Sequence, residues 1–478
     1  MIDSIKDKAL KGLFWAVGER VLTQGALFFV SIILARLLSP DEYGILALLL
    51  VFTNLADVLV TNGMGESLVQ KKDVRDIDYS TVFVSALTLS AFLYGVIYFC
   101  SHAIALFYGN MSIEAYLKVL ALRVPLSALN AVQKAYIAKN FLFRQQFYCS
   151  FLGSIVSGSV AIVMAWLGFG VYALIAQQLL SLVFISVLLV VATKWIPHFN
   201  FRLDSFEELV PLGLQFSGSS LVNSLYTEGR SLLIGKFYSS SDLAFFNRGN
   251  QFPALIVDNL NAPLSNVMLP VLSEIKSRGS EIGAAVRKSV QISSFIVFPM
   301  MGILMASADH LIRLLLGSSW MSSVPYLQIA CMFYIFQPLQ SINWQVLKAL
   351  GKGDLCIKLE LIKKAVCFLL LIVAVPHGVL AIALASALSG LFSSLINMFP
   401  VKKLIGYGLR EQVLDILKPL FAATVVVAVS ILLPNFTMHP MLGLIMQVFV
   451  GSIVYLVVSR LIECEGLRMI VDKIQRDK

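Results

Sequence analysis

Three stretches of this chain, 145–193, 365–401 and 419–459, contain no Asp, Glu, Lys or Arg. A bilayer-spanning helix needs about 20 mostly apolar residues, so each stretch is long enough for two spans. Each also carries its own break: Leu167-Gly168-Phe169-Gly170, Pro376-His377-Gly378, and the segment from Pro434 through Asn435 and His439 to Pro440. The sequence therefore encodes three membrane hairpins. The whole chain is 58% hydrophobic and 14% charged, more apolar surface than a soluble fold of 478 residues can hide. An all-α polytopic membrane protein is expected.

Working outward from the hairpins, apolar segments lie near 13–35, 43–62, 79–101, 115–137, 147–167, 170–192, 209–231, 245–270, 287–308, 325–347, 357–376, 379–399, 413–433 and 440–460. That makes about fourteen transmembrane helices. An error of one helix would invert every later loop, and cations collect on the cytoplasmic side of a membrane protein. Under this count the cytoplasmic loops carry Lys71, Lys72, Arg75, Lys139, Arg144, Lys194, Arg202, Lys276, Arg287, Lys348, Lys358, Lys402 and the tail from Arg460 onward, whereas the external loops carry Arg36, Lys118, Lys236 and Arg313. Both termini are thus expected in the cytoplasm. The net charge of +9 is a topology signal and does not indicate nucleic-acid binding. Lys6, Lys8 and Lys11 lead into an apolar helix with no small-residue cleavage site, so the first helix is expected to be retained.

The chain is built twice. Ser31-Ile32-Ile33-Leu34-Ala35-Arg36 runs into Ser39 and Glu42, and Ser231-Leu232-Leu233-Ile234-Gly235-Lys236 runs into Ser239 and Asp242. In both copies a helix end meets a cation, then a serine turn, then an acid where a helix N-terminus favours negative charge. Pro125, Asn130 and Lys139 match Pro338, Asn343 and Lys352 at a common offset of about 213, and Gly170-Val171 matches Gly378-Val379 in the same order. Both prolines are expected to bend their helices. An even number of spans per repeat gives both copies one orientation, related by an axis along the membrane normal. The expected architecture is two six-helix lobes, 1–200 and 201–410, followed by two helices and a cytoplasmic tail, 411–478, which lie outside the repeat.

Charges inside spans need a water-filled cavity or a partner. They are Arg20, Asp57, Arg123, Glu228, Arg230, Arg248 and Asp258, with Glu19, Glu66 and Lys134 nearer span ends. Arg123, Ser127, Asn130 and Lys134 fall on one helical stripe. Asn223, Thr227 and Arg230 make a second stripe, matched by Arg20, Thr23 and Gln24 in the first repeat. Asn54, Asp57 and Thr61, and Asn247, Gln251, Asp258 and Asn261, make two more. Such faces are expected to meet where the lobes meet, since lipid would leave them unsatisfied. Taken singly, Arg20, Arg230, Asp57 and Asp258 can also be read as parts of interhelical ion pairs or hydrogen bonds that only hold the bundle together, and Arg123 as snorkelling toward the outer surface.

There is no Walker A, G-x-S-x-G or H-E-x-x-H sequence, the five histidines are scattered, and the six cysteines form no C-x-x-C pair. No cofactor and no metal site is expected, and the short external loops leave no room for a catalytic domain.

The run Arg36 to Gly44, with Leu37-Leu38-Ser39-Pro40-Asp41-Glu42-Tyr43 inside it, resembles the polysaccharide-transporter branch of the multidrug, oligosaccharidyl-lipid and polysaccharide exporter superfamily, in particular exporters of the colanic-acid and O-antigen flippase type. Leu68-Val69-Gln70-Lys71-Lys72-Asp73, Phe246-Asn247-Arg248-Gly249-Asn250-Gln251-Phe252-Pro253, and Arg313-Leu314-Leu315-Leu316-Gly317 followed by Trp320 extend the likeness over most of residues 5–410. The resemblance implies a bacterial inner-membrane flippase that exports an undecaprenyl-pyrophosphate-linked oligosaccharide by alternating access. Membrane lipids and the polysaccharide polymerase machinery would be its partners.

On that reading Arg20, Arg123, Arg230 and Arg248 are candidates to neutralise the diphosphate, because guanidinium forks suit phosphate oxygens. Gln24, Asn130 and Asn223 are candidates for sugar hydroxyls. Asp57, Glu228 and Asp258 are candidates to take a coupling proton or sodium ion. The alternatives are a small-molecule drug or ion antiporter of the same superfamily, a membrane glycosyltransferase or polymerase acting on the same lipid, and a structural partner of that machinery. More carboxylates than arginines would be expected in the cavity of an antiporter, a large external loop in a transferase or polymerase, and no paired polar faces in a structural partner.

The topology is directly testable. A reporter fused after Lys72, Lys139, Lys276 or Lys358 should read cytoplasmic, and one after Asp41, Gly109 or Pro440 external. A consistent inversion beyond any hairpin would mean a span has been miscounted.

Overall fold

Each repeated serine turn closes on its acid in the computed structural model, which describes residues 18, 22–196, 198–277, 282–432 and 440–476. The Ser39 amide donates to Glu42 Oε2 at 2.7 Å and the Glu42 amide donates back to Ser39 Oγ at 3.4 Å. In the second copy the Ser239 amide donates to Asp242 Oδ2 at 3.3 Å and the Asp242 amide to Ser239 Oγ at 3.0 Å. Two otherwise orphaned amides at each helix start are satisfied reciprocally, and such a cap is worth about 1 kcal/mol.

The helices follow one another closely. They are α1 (Leu22–Leu37), α2 (Pro40–Asp57), α3 (Gly63–Gln70), α4 (Asp76–Tyr108), α5 (Ser112–Leu120), α6 (Arg123–Asn140), α7 (Phe143–Trp166), α8 (Val171–Thr193) and α9 (Leu203–Phe237). Then come α10 (Ser240–Ser277), α11 (Ile282–Ala306), α12 (Ala308–Leu315), α13 (Val324–Tyr334), α14 (Gln337–Ala349), α15 (Gly353–Ala374), α16 (Val379–Ile405), α17 (Leu409–Leu432), α18 (Pro440–Leu461) and α19 (Glu465–Arg476). Among the described residues nine helical segments are long and apolar enough to cross a membrane: 40–70, 76–108, 112–140, 143–166, 171–193, 282–306, 379–405, 409–430 and 440–461. At the other positions read as spans, α1, α9, α10, the α13–α14 pair and α15 are helical but shorter, broken or more polar. The third hairpin turn, 433–439, lies outside the described residues.

Both marked prolines coincide with breaks. α5 ends at Leu120 and α6 begins at Arg123, ahead of Pro125; α13 ends at Tyr334 and α14 begins at Gln337, ahead of Pro338. The cause is common to both, since a proline removes a backbone donor and its ring crowds the carbonyl four residues earlier. The α7–α8 turn uses Gly170 at φ +54° and the α15–α16 turn uses Gly378 at φ +102°, a backbone region that side chains with a Cβ avoid.

The chain divides into two compact units, 1–244 and 245–478. α9 therefore packs within the first unit, although the repeat assigns it to the second lobe. The reasons are local. A Cβ built on Gly63 would stand 1.7 Å from the Gly213 carbonyl oxygen, so the two backbones touch there, and Ser217 Oγ donates to the Leu59 carbonyl at 3.2 Å. At the start of α9, Ser205 Oγ donates to the fully buried Asp78 at 2.6 Å, and Lys71 bridges Asp78 and Glu208 at 3.3 and 2.7 Å. Burial works against the Lys71 charge, but hydrogen bonds to Glu208 and Asp78 outweigh it and hold the amine above its ordinary range.

In the second unit α17 is part of the core. Ile416 and Ala423 are buried with Val286, Val290 and Phe298 of α11, Leu339 and Ile342 of α14, and Met398 and Val401 of α16. Asp415, its side chain 6% exposed, is the polar centre of this packing. Arg287 forks onto it with Nε and Nη2 both at 2.8 Å, Tyr407 donates at 2.8 Å, and Gln291 donates at 2.9 Å while also reaching Glu465. Burial and the adjacent carboxylate keep the Tyr407 phenol protonated well beyond its usual range. One turn away Asn343 and Gln412 exchange amide hydrogen bonds at 2.9 and 3.0 Å.

Three stability predictions rest on these contacts. Asp415→Ala strands the Tyr407 and Gln291 donors, while half-exposed Arg287 rehydrates, so the purified protein should lose about 1–3 kcal/mol of stability in a thermal or denaturant melt. Replacing Asn343 and Gln412 together by Leu removes donor and acceptor at once and should cost less than either single change. Gly63→Val should be more disruptive than Gly65→Val, because a Cβ at Gly65 meets its nearest neighbour only at 3.4 Å. Equal melting temperatures for the two glycine variants would contradict the close packing of α9 on α3.

Candidate functional site

Helix α2 does not run straight into α3. Residues Val58–Asn62 form a π-helical turn between them, and Asp57 is the last α-helical residue before it. Such turns insert an extra residue into a helix, shift the side chains that follow, and recur at functional sites. Thr61 Oγ1 donates to the Asp57 carbonyl at 2.8 Å across this turn.

Asp57 faces α6. Its Oδ1 accepts from Ser127 Oγ at 2.8 Å, and its Oδ2 lies 3.1 Å from Arg123 Nε. Arg123 Nη1 donates to Asn54 Oδ1 at 3.0 Å, and Asn54 Nδ2 donates to Glu228 Oε1 on α9 at 3.1 Å. The polar chain Ser127–Asp57–Arg123–Asn54–Glu228 thus joins α6, α2 and α9. Arg123 and Asp57 are 21% and 13% exposed at their side chains, enough burial for the pair to matter and enough openness for the cavity beside it to reach both.

That cavity has a volume of about 850 Å³, within the range of binding pockets. Its walls come from α2, the π-turn and α3, the stripe of α6, Leu182 of α8, and Ser224 and Glu228 of α9. The expected stripe Arg123, Ser127, Asn130, Lys134 lines it along its length. Arg123 turns to Asp57.

The other candidate residues have different surroundings. Arg20 lies outside the described residues. Gln24 is half-buried on α1 and does not line the cavity. Asn130 is a wall residue, and its amide nitrogen donates to Ser186 Oγ at 2.6 Å and to the Leu182 carbonyl at 3.3 Å, bracing α6 on α8. Asn223 lies on α9, its side chain outside the described set. Arg230 stands 5.8 Å from the centre of the Tyr226 ring, away from the cavity. In the second unit Arg248 is buried, donates to Gln251 and lies 5.5 Å over the Trp320 ring, while Asp258 is exposed on α10.

Among the described residues the cavity carries three carboxylates, Asp57, Glu66 and Glu228, against two cations, Arg123 and Lys134. Of the candidate arginines, Arg123 enters the cavity, Arg230 stands beside the Tyr226 ring, and Arg248, in the second unit, lies over the Trp320 ring. Asn54 and Thr61 were legible as one polar face with Asp57. Ser224 sits one turn before Glu228, a spacing that marks it in retrospect. Gln70 left no signal, and neither did the pairing of Arg123 with Asp57.

Comparison with known proteins bears on a site of this kind. The family described as polysaccharide biosynthesis protein matches residues 33–325, more than half of the chain. The succinoglycan biosynthesis transport protein ExoT of Rhizobium meliloti is 24% identical over 96% of this chain and 94% of its own length. The teichuronic acid biosynthesis protein TuaB of Bacillus subtilis is 24% identical over 84% and 85%, and the lipopolysaccharide biosynthesis protein WzxC of Escherichia coli 22% over 89% and 88%. In fold the chain resembles the lipid II flippase MurJ in an inward closed conformation, with TM-score 0.76, 16% identity and coverage of 95% and 98%. It also resembles an inward-facing multidrug resistance transporter of the same superfamily, with TM-score 0.63, 16% identity and coverage of 80% and 94%. The chain belongs to the polysaccharide biosynthesis protein family and is an all-helical, multi-pass membrane transporter rather than an enzyme.

Proposed function

We propose that this protein translocates an undecaprenyl-pyrophosphate-linked oligosaccharide across the bacterial inner membrane by alternating access, for exopolysaccharide, capsule or O-antigen assembly. The observation that carries this reading is Arg123, a guanidinium directed into a large polar cavity in a chain of the polysaccharide biosynthesis family. The prenyl tail of such a substrate stays in lipid, so the cavity has to shelter only diphosphate and sugars. A guanidinium presents five N–H donors in a fork that matches phosphate oxygens. Asn54, Thr61, Ser127 and Gln70 offer amide and hydroxyl groups of the kind that pair with sugar hydroxyls.

The architecture proposed with this function has fourteen spans, as two six-helix lobes at 1–200 and 201–410 with 411–478 appended, and both termini in the cytoplasm. The repeated capping turns and the helix breaks ahead of Pro125 and Pro338 support it. α1, α9, α10, α13–α14 and α15 supply the remaining spans. Arg20, Gln24, Asn130, Asn223, Arg230 and Arg248 remain the further candidates for substrate contact, and Asp57, Glu228 and Asp258 those for a coupling proton or sodium ion. The polysaccharide polymerase machinery is the partner that such a transporter would supply.

One observation favours a second reading. The carboxylate majority in the cavity suits a small organic cation, the cargo of a drug antiporter in the same superfamily. Purified protein in liposomes separates the two, with one set loaded with a lipid-linked oligosaccharide and another with a cationic dye. Under the flippase reading the oligosaccharide moves and the dye does not. Arg123→Lys keeps the charge but loses the fork and should retain part of the rate. Arg123→Ala loses charge-assisted hydrogen bonds of about 1.5–3 kcal/mol, and its rate should fall by about ten- to a hundredfold. Wild-type oligosaccharide transport by folded Arg123→Ala protein would remove that residue from the site.

A further inference from the structure

Arg123 already has an anion. Asp57 Oδ2 lies on its Nε, and Nε belongs to one of the two edges on which a guanidinium takes an oxyanion through two parallel hydrogen bonds. Asp57 is itself held in place, by Ser127 Oγ on Oδ1 and by the Thr61 bond to its backbone across the π-helical turn. A diphosphate arriving at that edge meets a neutral pair, and it gains the guanidinium only by displacing the carboxylate.

Resting on the diphosphate reading of the cavity, we infer that Asp57 is an internal competitor for Arg123, a residue that sets how readily the site releases its anion. A lone buried guanidinium would bind diphosphate tightly and would be left as an unpaired charge each time the cavity emptied. Asp57 removes both difficulties. It takes the guanidinium back as the diphosphate leaves, so the empty site carries no uncompensated cation, and it lowers the affinity of the filled site, which speeds release. Binding that is equally strong in every state of a cycle does not accelerate that cycle, so a transporter gains rate from a competitor that weakens its most stable complex. Asp57 is thus a positioning and release residue; it has no need to touch the substrate.

The test uses full-length protein in lipid nanodiscs with farnesyl pyrophosphate as the binding probe, and liposomes with a lipid-linked oligosaccharide for transport. Asp57→Asn should bind the probe at least about tenfold more tightly than wild type, while its transport rate falls because release becomes slow. Ser127→Ala keeps the carboxylate but frees it from its anchor, and should tighten binding by about two- to threefold; it tests the same idea if Asp57→Asn does not accumulate. Arg123→Ala should lose probe binding. Binding by Asp57→Asn and Ser127→Ala within about twofold of wild type, with Arg123→Ala binding lost, overturns the competitor role and leaves the diphosphate site standing. Weaker binding by Asp57→Asn likewise overturns it, since Asp57 would then organise the site rather than oppose it. Wild-type binding by Arg123→Ala overturns the diphosphate reading itself.

Discussion

An ionised side chain near the middle of a bilayer costs about 2.5–3.5 kcal/mol on insertion scales. The polar organisation of the first unit follows from meeting that cost, and near the helix ends of the second a buried carboxylate makes a similar demand. In the first unit Arg123 and Asp57 hold each other, with Ser127, Asn54 and Glu228 completing the chain of bonds. In the second, Asp415 gathers Arg287, Tyr407 and Gln291. The two clusters differ in where the carboxylate sits. Asp415 is buried beside the packed side chains of α11, α14 and α16, and its cluster ties α11 to α17 while Arg287 and Tyr407 border a cavity of about 580 Å³. The Arg123 cluster opens onto a cavity, and there the same electrostatic requirement leaves a cation that an incoming anion can reach.

Much of this was legible in the sequence because it depends on near neighbours. The hairpins follow from charge-free runs with Gly or Pro at their centres, and the helix starts at Ser39 and Ser239 from a serine three residues ahead of an acid. The breaks before Pro125 and Pro338 follow from the missing backbone donor, and the α6 stripe from helical period alone. What sequence could not supply was partner choice between helices far apart in the chain. Nothing in the spacing says that Arg123 turns to Asp57 on α2, that Arg230 turns to Tyr226, or that Arg248 buries itself against Gln251 and Trp320. Those choices are settled by helix rotation and side-chain volume.

The two copies of the repeat show how one pattern diverges. Asn130 and Asn343 occupy matching positions, both buried, and both use their side-chain nitrogen to brace a neighbouring helix. The neighbour differs: Ser186 on α8 for the first, Gln412 on α17 for the second. The arginine at 123 is matched by Phe336, so the second copy keeps the helix break and the brace but has no guanidinium at that level. Backbone features that depend on proline and on a small amide are therefore common to the two copies, whereas the ionic feature belongs to one. The divergence gives the first unit the charged cavity and leaves the matching helix of the second free to take α17 into its core.

Asn54 is where charge in the cavity meets the position of a helix. Its side-chain oxygen accepts from Arg123 and its nitrogen donates to Glu228, so the orientation of one amide is fixed from both ends. Backbone contacts also hold α9 against the α2–α3 segment: Gly63 meets Gly213 near one end, and just past the other a Cβ on Gly44 would fall 1.7 Å from the Ser240 carbonyl oxygen. Backbone contacts of this kind are insensitive to charge, and the Asn54 bridge between them is not. In the proposed cycle an anion that draws Arg123 away from its resident partners removes the donor that orients Asn54, and Glu228 then loses a well-placed hydrogen bond inside the protein. The differential interaction needed to shift a conformational equilibrium is therefore present at a named amide, one bond from the cation on one side and one bond from α9 on the other.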